Sequence, residues 1–317
     1  MLTPNERMVH APMSLRPRVT WPEGRTVAFW HAPNVEHYDW LAPQGRRFAS
    51  RVTPPDAEHY MHRDSGNRTA FWRMLRSVDK YEMPSTVSLS LAILQEQPEV
   101  REAMLERDWE IMSHGISNLR PLYGYTPEQE HEFFEVSQQL ALTYYAGRPI
   151  KGMLGPRVSS TYRTADIMVE HGMTYFADFV HDEQPRPILT ESGKKLVNVP
   201  YSFTLNDVPM VLAKSHPKSY LVELAKAQID RMLRDAAEDG QGRVVCLATH
   251  PFVMGQPNAA GYLEEIFDYV RSQDEVWATT AGAITDHYLA HFYDEQLEFA
   301  RSFAADQPAA DLAGARR

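Results

Sequence analysis

Residues 244–251 read Val-Val-Cys-Leu-Ala-Thr-His-Pro. An unbroken run of five apolar residues is short for a buried helix and suits a strand covered on both faces, as in a parallel sheet. The run then breaks on Thr249, His250 and Pro251, which stop the strand and turn the chain. The same pattern recurs upstream. Residues 26–30 (TVAFW) form a first strand and lead into His31-Ala-Pro-Asn34-Val-Glu36-His37. Further strand candidates are residues 86–89, 109–112, 151–154, 174–177, 196–199 and 276–279. Helical patterns lie between them. One opens at Asn67, with Phe71, Met74, Leu75 and Val78 on a single face, after a long loop that includes residues 41–64. Residues 98–107 form a short helix. Thr126-Pro127-Glu128-Gln129 is a capping box with proline at the first helical position, starting a helix that runs to about residue 145. Residues 162–171, 218–237 and 259–271 continue the alternation, and a terminal helix closes it. Strands alternating with helices predict an α/β fold with a parallel sheet, and about eight strands predict a single closed or nearly closed barrel. The alternative is an open doubly wound sheet, which lacks a G-x-G-x-x-G after its first strand.

The composition sets the limits of function. The 317 residues hold 32 Lys plus Arg and 42 Asp plus Glu, a net charge of −10, with 43 % hydrophobic and 23 % charged residues. Such an acidic chain is a poor electrostatic partner for nucleic acid or an anionic membrane. No segment reaches about eighteen uninterrupted apolar residues, and the first 21 residues are polar and interrupted by proline, so a cytoplasmic protein is expected. Cys246 is the one cysteine, which excludes an internal disulfide and a thiolate metal cluster. The expected organisation is an N-terminal extension over residues 1–25, one barrel domain over 26–302 and a loosely ordered Ala/Arg-rich tail over 303–317.

In β/α barrels the reactive groups lie just past the C-terminal ends of the strands. Those positions carry Asn34 and Glu36; His114 and Asn118; Arg157; Asp178 and Asp182; Asn206 and Asp207; and His250. On an extended segment Asn34 and Glu36 share a face. A helical turn would likewise set His114 and Asn118, spaced i, i+4, side by side for a cation or a substrate. His250, between an apolar strand and a proline, is either a structural histidine satisfied by backbone or a general acid for a leaving nitrogen. Arg68 and Arg157 are of the type that holds a carboxylate or carbonyl oxygen. Trp30, Trp72, Trp109 and Trp277 read as core.

These stations, in this order, resemble the polysaccharide deacetylase superfamily (carbohydrate esterase family 4). The pieces are Asn34-Val35-Glu36-His37, Gly66-Asn67-Arg68 with Phe71-Trp72-Arg73, His114-Gly115, Leu154-Gly155-Pro156, Asp182-Glu183-Gln184-Pro185, Asn206-Asp207 and His250-Pro251. The likeness spans about residues 27–288 and leans to the intracellular branch of allantoinases and cyclic imide hydrolases. It implies a distorted (β/α)7 barrel that hydrolyses an amide C–N bond. In the metal-dependent sugar deacetylases two Asp follow the first strand and two His at i, i+4 complete the metal ligands. Here Asn34 and Glu36 stand at the first place and Asn118 at the second His.

The resemblance therefore implies either no cofactor or one weakly held zinc-type divalent cation on Glu36, His114 and Asn118. The leading expectation is a hydrolase of a small cyclic amide, imide or ureide, with Glu36 as base and His250 as acid. Asn34, Arg68, Arg157, Asp182, Asn206 and Asp207 would hold the substrate. The rivals are a metal-dependent N-deacetylase or deformylase of an acetylated sugar or linear amide, and a non-catalytic ligand-binding barrel. A homodimer or homotetramer is expected from the same branch, with neither nucleic acid nor membrane as partner.

Overall fold

The computed structural model describes residues 7–40 and 55–305. Among the described residues nine strands form one curled sheet: β1 (Val27–Val35), β2 (Thr86–Leu89), β3 (Glu110–Ser113), β4 (Gly152–Met153), β5 (Tyr175–Phe176), β6 (Arg186–Ile188), β7 (Leu196–Asn198), β8 (Arg243–Thr249) and β9 (Val276–Thr279). The order is β6-β7-β5-β4-β3-β2-β1-β8, with β9 also paired to β1. Every pairing is parallel except β6 with β7. The curled parallel sheet forms a half-barrel and agrees with the expected distorted barrel. A lone parallel bridge between Asn206 and Ala248 continues the outer edge of β8.

Strand pleating divides the core into two. In β1, Val27, Phe29 and Val35 face the helix layer, while Ala28, Trp30 and Ala32 face the sheet's interior. In β8, Val245 and Leu247 face the helices; Val244, Cys246 and Ala248 face inward, with Leu154, Tyr175 and Tyr201. Small residues on β1 and β8 leave room for those large rings from neighbouring strands. Cys246 is thus a packing residue, its thiol pKa pushed up by burial.

Strands legible as apolar runs fall where the pattern puts them, and β2 and β9 match to the residue. The capping box at Thr126 is formed, and its helix runs Pro127–Tyr144. Other segments differ. The helix expected from Asn67 starts earlier: Ala57–Ser65 is helical, with Asp56 accepting from the His59 N–H at its N-cap, and a π-helical turn at Gly66–Ala70 joins it to Phe71–Lys80. Of the expected long loop, residues 41–54 lie outside the described residues. β6 carries Arg-Pro-Ile, without an apolar run to announce it, and forms by pairing with β7. The terminal helix is two helices, Ala281–His291 and Tyr293–Ala305, parted at Phe292.

The N-terminal residues described are built into the barrel. Val19 and Trp21 are buried in the interior cluster, and the Trp21 indole donates to the Arg243 carbonyl at 2.9 Å. Arg7 forms a buried ion pair with Asp166. Residues 306–317 of the expected tail lie outside the described residues. Among the described residues no helix is long and apolar enough to cross a membrane.

Candidate active site

β1 is the spine of the site. It is hydrogen-bonded along one edge to β8 and along the other to β9 and then β2, so its C-terminal end is held rigidly. Asn34 sits on that end, paired with Ser88, and Glu36 lies just past the strand. Both line a cavity of about 520 Å³, joined there by His114, Asn118, Asn206 and His250. Such a volume suits a small organic molecule.

His250 caps β8 and is fixed by Asp207. The His250 Nδ1–H donates to Asp207 Oδ1 at 2.6 Å and its backbone N–H to Oδ2 at 2.7 Å, with Asp207 wholly buried. This leaves Nε2 turned toward Glu36 Oε1, 3.7 Å away. Burial works to discharge the imidazole, but the Asp207 and Glu36 carboxylates outweigh it and raise its pKa to about 9. His250 is therefore an imidazolium at neutral pH.

Glu36 is the counterpart. Its Oε1 accepts from Asn118 Nδ2 at 2.9 Å and lies 3.3 Å from His114 Nε2; Tyr38 donates its hydroxyl to Oε2. Its backbone carbonyl accepts from Asn67 Nδ2 at 2.9 Å. Burial acts to raise the carboxyl pKa. The His250 charge, with the His114 imidazole also close by, overcomes that and holds it far below the ordinary carboxylate value. His114 donates from Nδ1 to the Leu154 carbonyl at 2.9 Å, which aims Nε2 at Glu36.

The remaining expected residues divide sharply. Asn34 and Asn206 are both on the cavity wall, each donating from Nδ2 to the Tyr201 hydroxyl, at 3.1 and 3.3 Å. Arg157 also lines the cavity. Asp207 does not hold substrate; both its oxygens are committed to His250. Arg68 is not in this cavity but lines another of about 470 Å³ that Glu36 and Tyr38 also border. Its side chain is 72 % exposed and pairs with Asp64 one turn away, because Asn67 and Ala70 occupy the buried face of that turn. Asp182 is likewise elsewhere, ion-paired at 2.7 Å with Arg16 of the N-terminal segment. His114 and Asn118 meet at Glu36 without the expected helical turn: the chain there is a loop, with Gly115 at φ 77° and Asn118 N–H tied to the His37 carbonyl at 3.1 Å.

Among the cavity residues not singled out from sequence are Tyr201, His59 and Arg63. The last two sit on the helix Ala57–Ser65, in a stretch read as loop. Tyr38, which donates to Glu36, lines the cavity as well.

The donor set at Glu36 fits a tightly held divalent metal poorly. Of the three groups expected as ligands, His114 and Glu36 supply one imidazole and one carboxylate, and Asn118 is a neutral amide whose Nδ2 donates to the carboxylate, leaving only its buried Oδ1 without a partner. Both Glu36 oxygens already accept hydrogen bonds. Among the described residues no group of three or more His, Cys, Asp or Glu is arranged to hold a metal.

Comparison with known proteins agrees with the sequence resemblance. Residues 51–176 match the family model Polysaccharide deacetylase, a span that holds His114, Asn118 and Arg157 but neither Glu36 nor His250. No curated protein matches the chain in sequence. Among solved structures, PuuE allantoinase superposes with a TM-score of 0.77 at 19 % identity, over 92 % of this chain and 99 % of that one. A protein assigned as a polysaccharide deacetylase from Pseudomonas aeruginosa gives 0.75 at 20 % identity, covering 86 % and 94 %. Another from Mycobacterium smegmatis gives 0.73 at 23 % identity, covering 87 % and 94 %. At these identities the superpositions establish a shared fold.

Proposed function

From the polysaccharide deacetylase domain that the chain carries, we propose that it is a hydrolase that opens the C–N bond of a small cyclic amide, imide or ureide. The observation that carries this reading is the Glu36–His250–Asp207 constellation: a carboxylate and an imidazolium facing each other across 3.7 Å at the wall of one cavity. Likeness to an allantoinase, an enzyme of a ureide, supports the choice of substrate class.

The chemistry follows from the proton inventory. Amide cleavage needs a base for the attacking water and an acid for the departing nitrogen. Glu36 takes the water's proton, with His114 Nε2 3.3 Å away and its Nδ1 fixed on the Leu154 carbonyl. In the resting site the His250 charge makes Glu36 a weak base. That charge first steadies the developing oxyanion, then leaves as His250 passes its proton to the nitrogen. Losing it raises the proton affinity of Glu36, so the two transfers assist one another. Asp207 keeps Nδ1 protonated and Nε2 aimed throughout. Asn34, Asn206 and Tyr201 offer polar contacts to the ring.

The test is Glu36→Gln assayed on hydantoin, allantoin and glutarimide. Loss of a general base predicts that turnover falls by a factor of roughly a hundred to ten thousand, and a variant with full turnover would exclude Glu36 as base. A small-molecule substrate is the expected partner, acted on in the cytoplasm. Self-association as a dimer or tetramer belongs to the same proposal, and sedimentation at micromolar concentration checks it.

A further inference from the structure

The cavity wall carries positive charge that the cleavage chemistry leaves unused. Arg63 and Arg157 both line it. Arg63 is 7 % exposed, and its guanidinium carbon lies 5.1 Å from the Tyr38 ring centroid and 5.4 Å from that of Phe252. Aromatic faces hold a cation in place, and Arg63 Nη1 also donates to the His59 carbonyl at 3.4 Å, which fixes it further on this wall. His59, nine-tenths buried on the same wall, feels the charge of both arginines, so the two guanidiniums act on one region. Its Nδ1 has no hydrogen-bond partner.

The loop that presents Arg157 is strained. Arg157 and Val158 both adopt left-handed backbone, φ 60° and 54°, an unfavourable conformation for a side-chain-bearing residue and most so for a β-branched one. The strain is held by a wired loop. Val158 N–H donates to the Gly155 carbonyl at 2.7 Å, Gly155 N–H to Asp178 at 2.7 Å, and Ser159 Oγ to the Pro156 carbonyl at 2.6 Å. Backbone strain maintained by its surroundings at a cavity wall marks a residue placed for use.

We infer that Arg63 and Arg157 bind a carboxylate borne by the substrate, with His59 beside them. The substrate class narrows, on the hydrolase reading above, to a small amide or ureide ring with a carboxyl substituent. A planar guanidinium edge matches a planar carboxylate. A dianionic phosphate would meet more repulsion, since the Glu36 carboxylate lines the same cavity.

The full-length protein is titrated calorimetrically with glutarate, glutaramide and inorganic phosphate, and kcat/KM is compared for hydantoin-5-acetic acid and 5-methylhydantoin. Glutarate should bind at least about tenfold more tightly than glutaramide, and Arg63→Met and Arg157→Gln should each reduce that preference by about tenfold. The rate preference for the carboxylated ring should fall in the same two variants, and Arg63→Lys should recover part of it. Equal binding of glutarate and glutaramide, an undiminished preference in both variants, or tighter binding of phosphate would each overturn the inference. Where Arg63→Met fails to fold, Arg157→Gln, altered at an exposed side chain, decides alone. Turnover of the neutral ring without carboxylate preference removes this inference and leaves the hydrolase. Carboxylate preference without opening of either ring keeps the anion site and removes the hydrolase.

Discussion

Replacing Asp207 by Asn tests the assignment of His250 as acid without touching the cavity surface. Asp207 is wholly buried, and its two oxygens bind the His250 ring and backbone at 2.6 and 2.7 Å. Asn keeps the shape, removes the charge and leaves one of the two His250 N–H groups without its acceptor. Burial lowers the pKa of His250, and the two carboxylates raise it to about 9. Without Asp207 the remaining pull of Glu36 is set against that burial, and the pKa returns to about the ordinary imidazole value of 6.5 or below. The acid must be protonated to act, so activity falls as pH rises through this pKa. At pH 8 about nine-tenths of the imidazole is protonated when the pKa is about 9, and about 3 % when it is about 6.5. The loss from protonation state alone is therefore roughly 30-fold at pH 8 and much smaller at pH 6. The assay is kcat/KM for hydantoin opening from pH 5 to 10. The wild type should lose activity above about pH 9, and Asp207→Asn from about pH 6.5 upward. A variant whose basic limb stays near pH 9 would show that His250 is not the titrating acid, or that Asp207 does not set its charge.

Other outcomes follow from the same geometry. Prolonged dialysis against a chelator should leave turnover unchanged, since the groups around Glu36 are a poor metal set; full loss with rescue by zinc would reverse that reading. His31 is buried between Ser85 and Thr249, and burial lowers its pKa to about 3. The unfolded chain therefore binds the extra proton between about pH 6.5 and 3, and stability falls as pH falls through that window. His31→Gln should flatten that part of the Tm–pH curve, and an unchanged slope would refute it. In Gly152→Ala the added Cβ would fall 1.9 Å from the Tyr175 ring, which is rigid and fully buried. Loss of soluble folded protein is expected, and a variant with wild-type Tm would show that the strand end can shift.

Much of the frame is local and so was legible. An apolar run such as residues 244–248 must be covered on both faces wherever it lies, and the Thr126 box must start a helix. What escaped was nonlocal. β6 exists through its pairing with β7, and the helix Ala57–Ser65 buries only His59 and Arg63, so its sequence shows no apolar stripe. Arg63 rather than Arg68 faces the cavity of His114 and His250 for that reason: which face of a polar helix is buried depends on what packs against it.

By itself the sequence determined the alternating α/β order, the single cysteine and the set of strand ends where Glu36, His114, Asn118 and His250 stand. Those features follow from hydrophobic periodicity and turn chemistry, which act between near neighbours in the chain. Tertiary structure decided the roles. Only folding places Asp207 against His250 and Glu36 between two imidazoles, and it takes Asp182 away to Arg16. Charge, proton affinity and access depend on distances between residues far apart in sequence, and curling of the sheet brings those residues together.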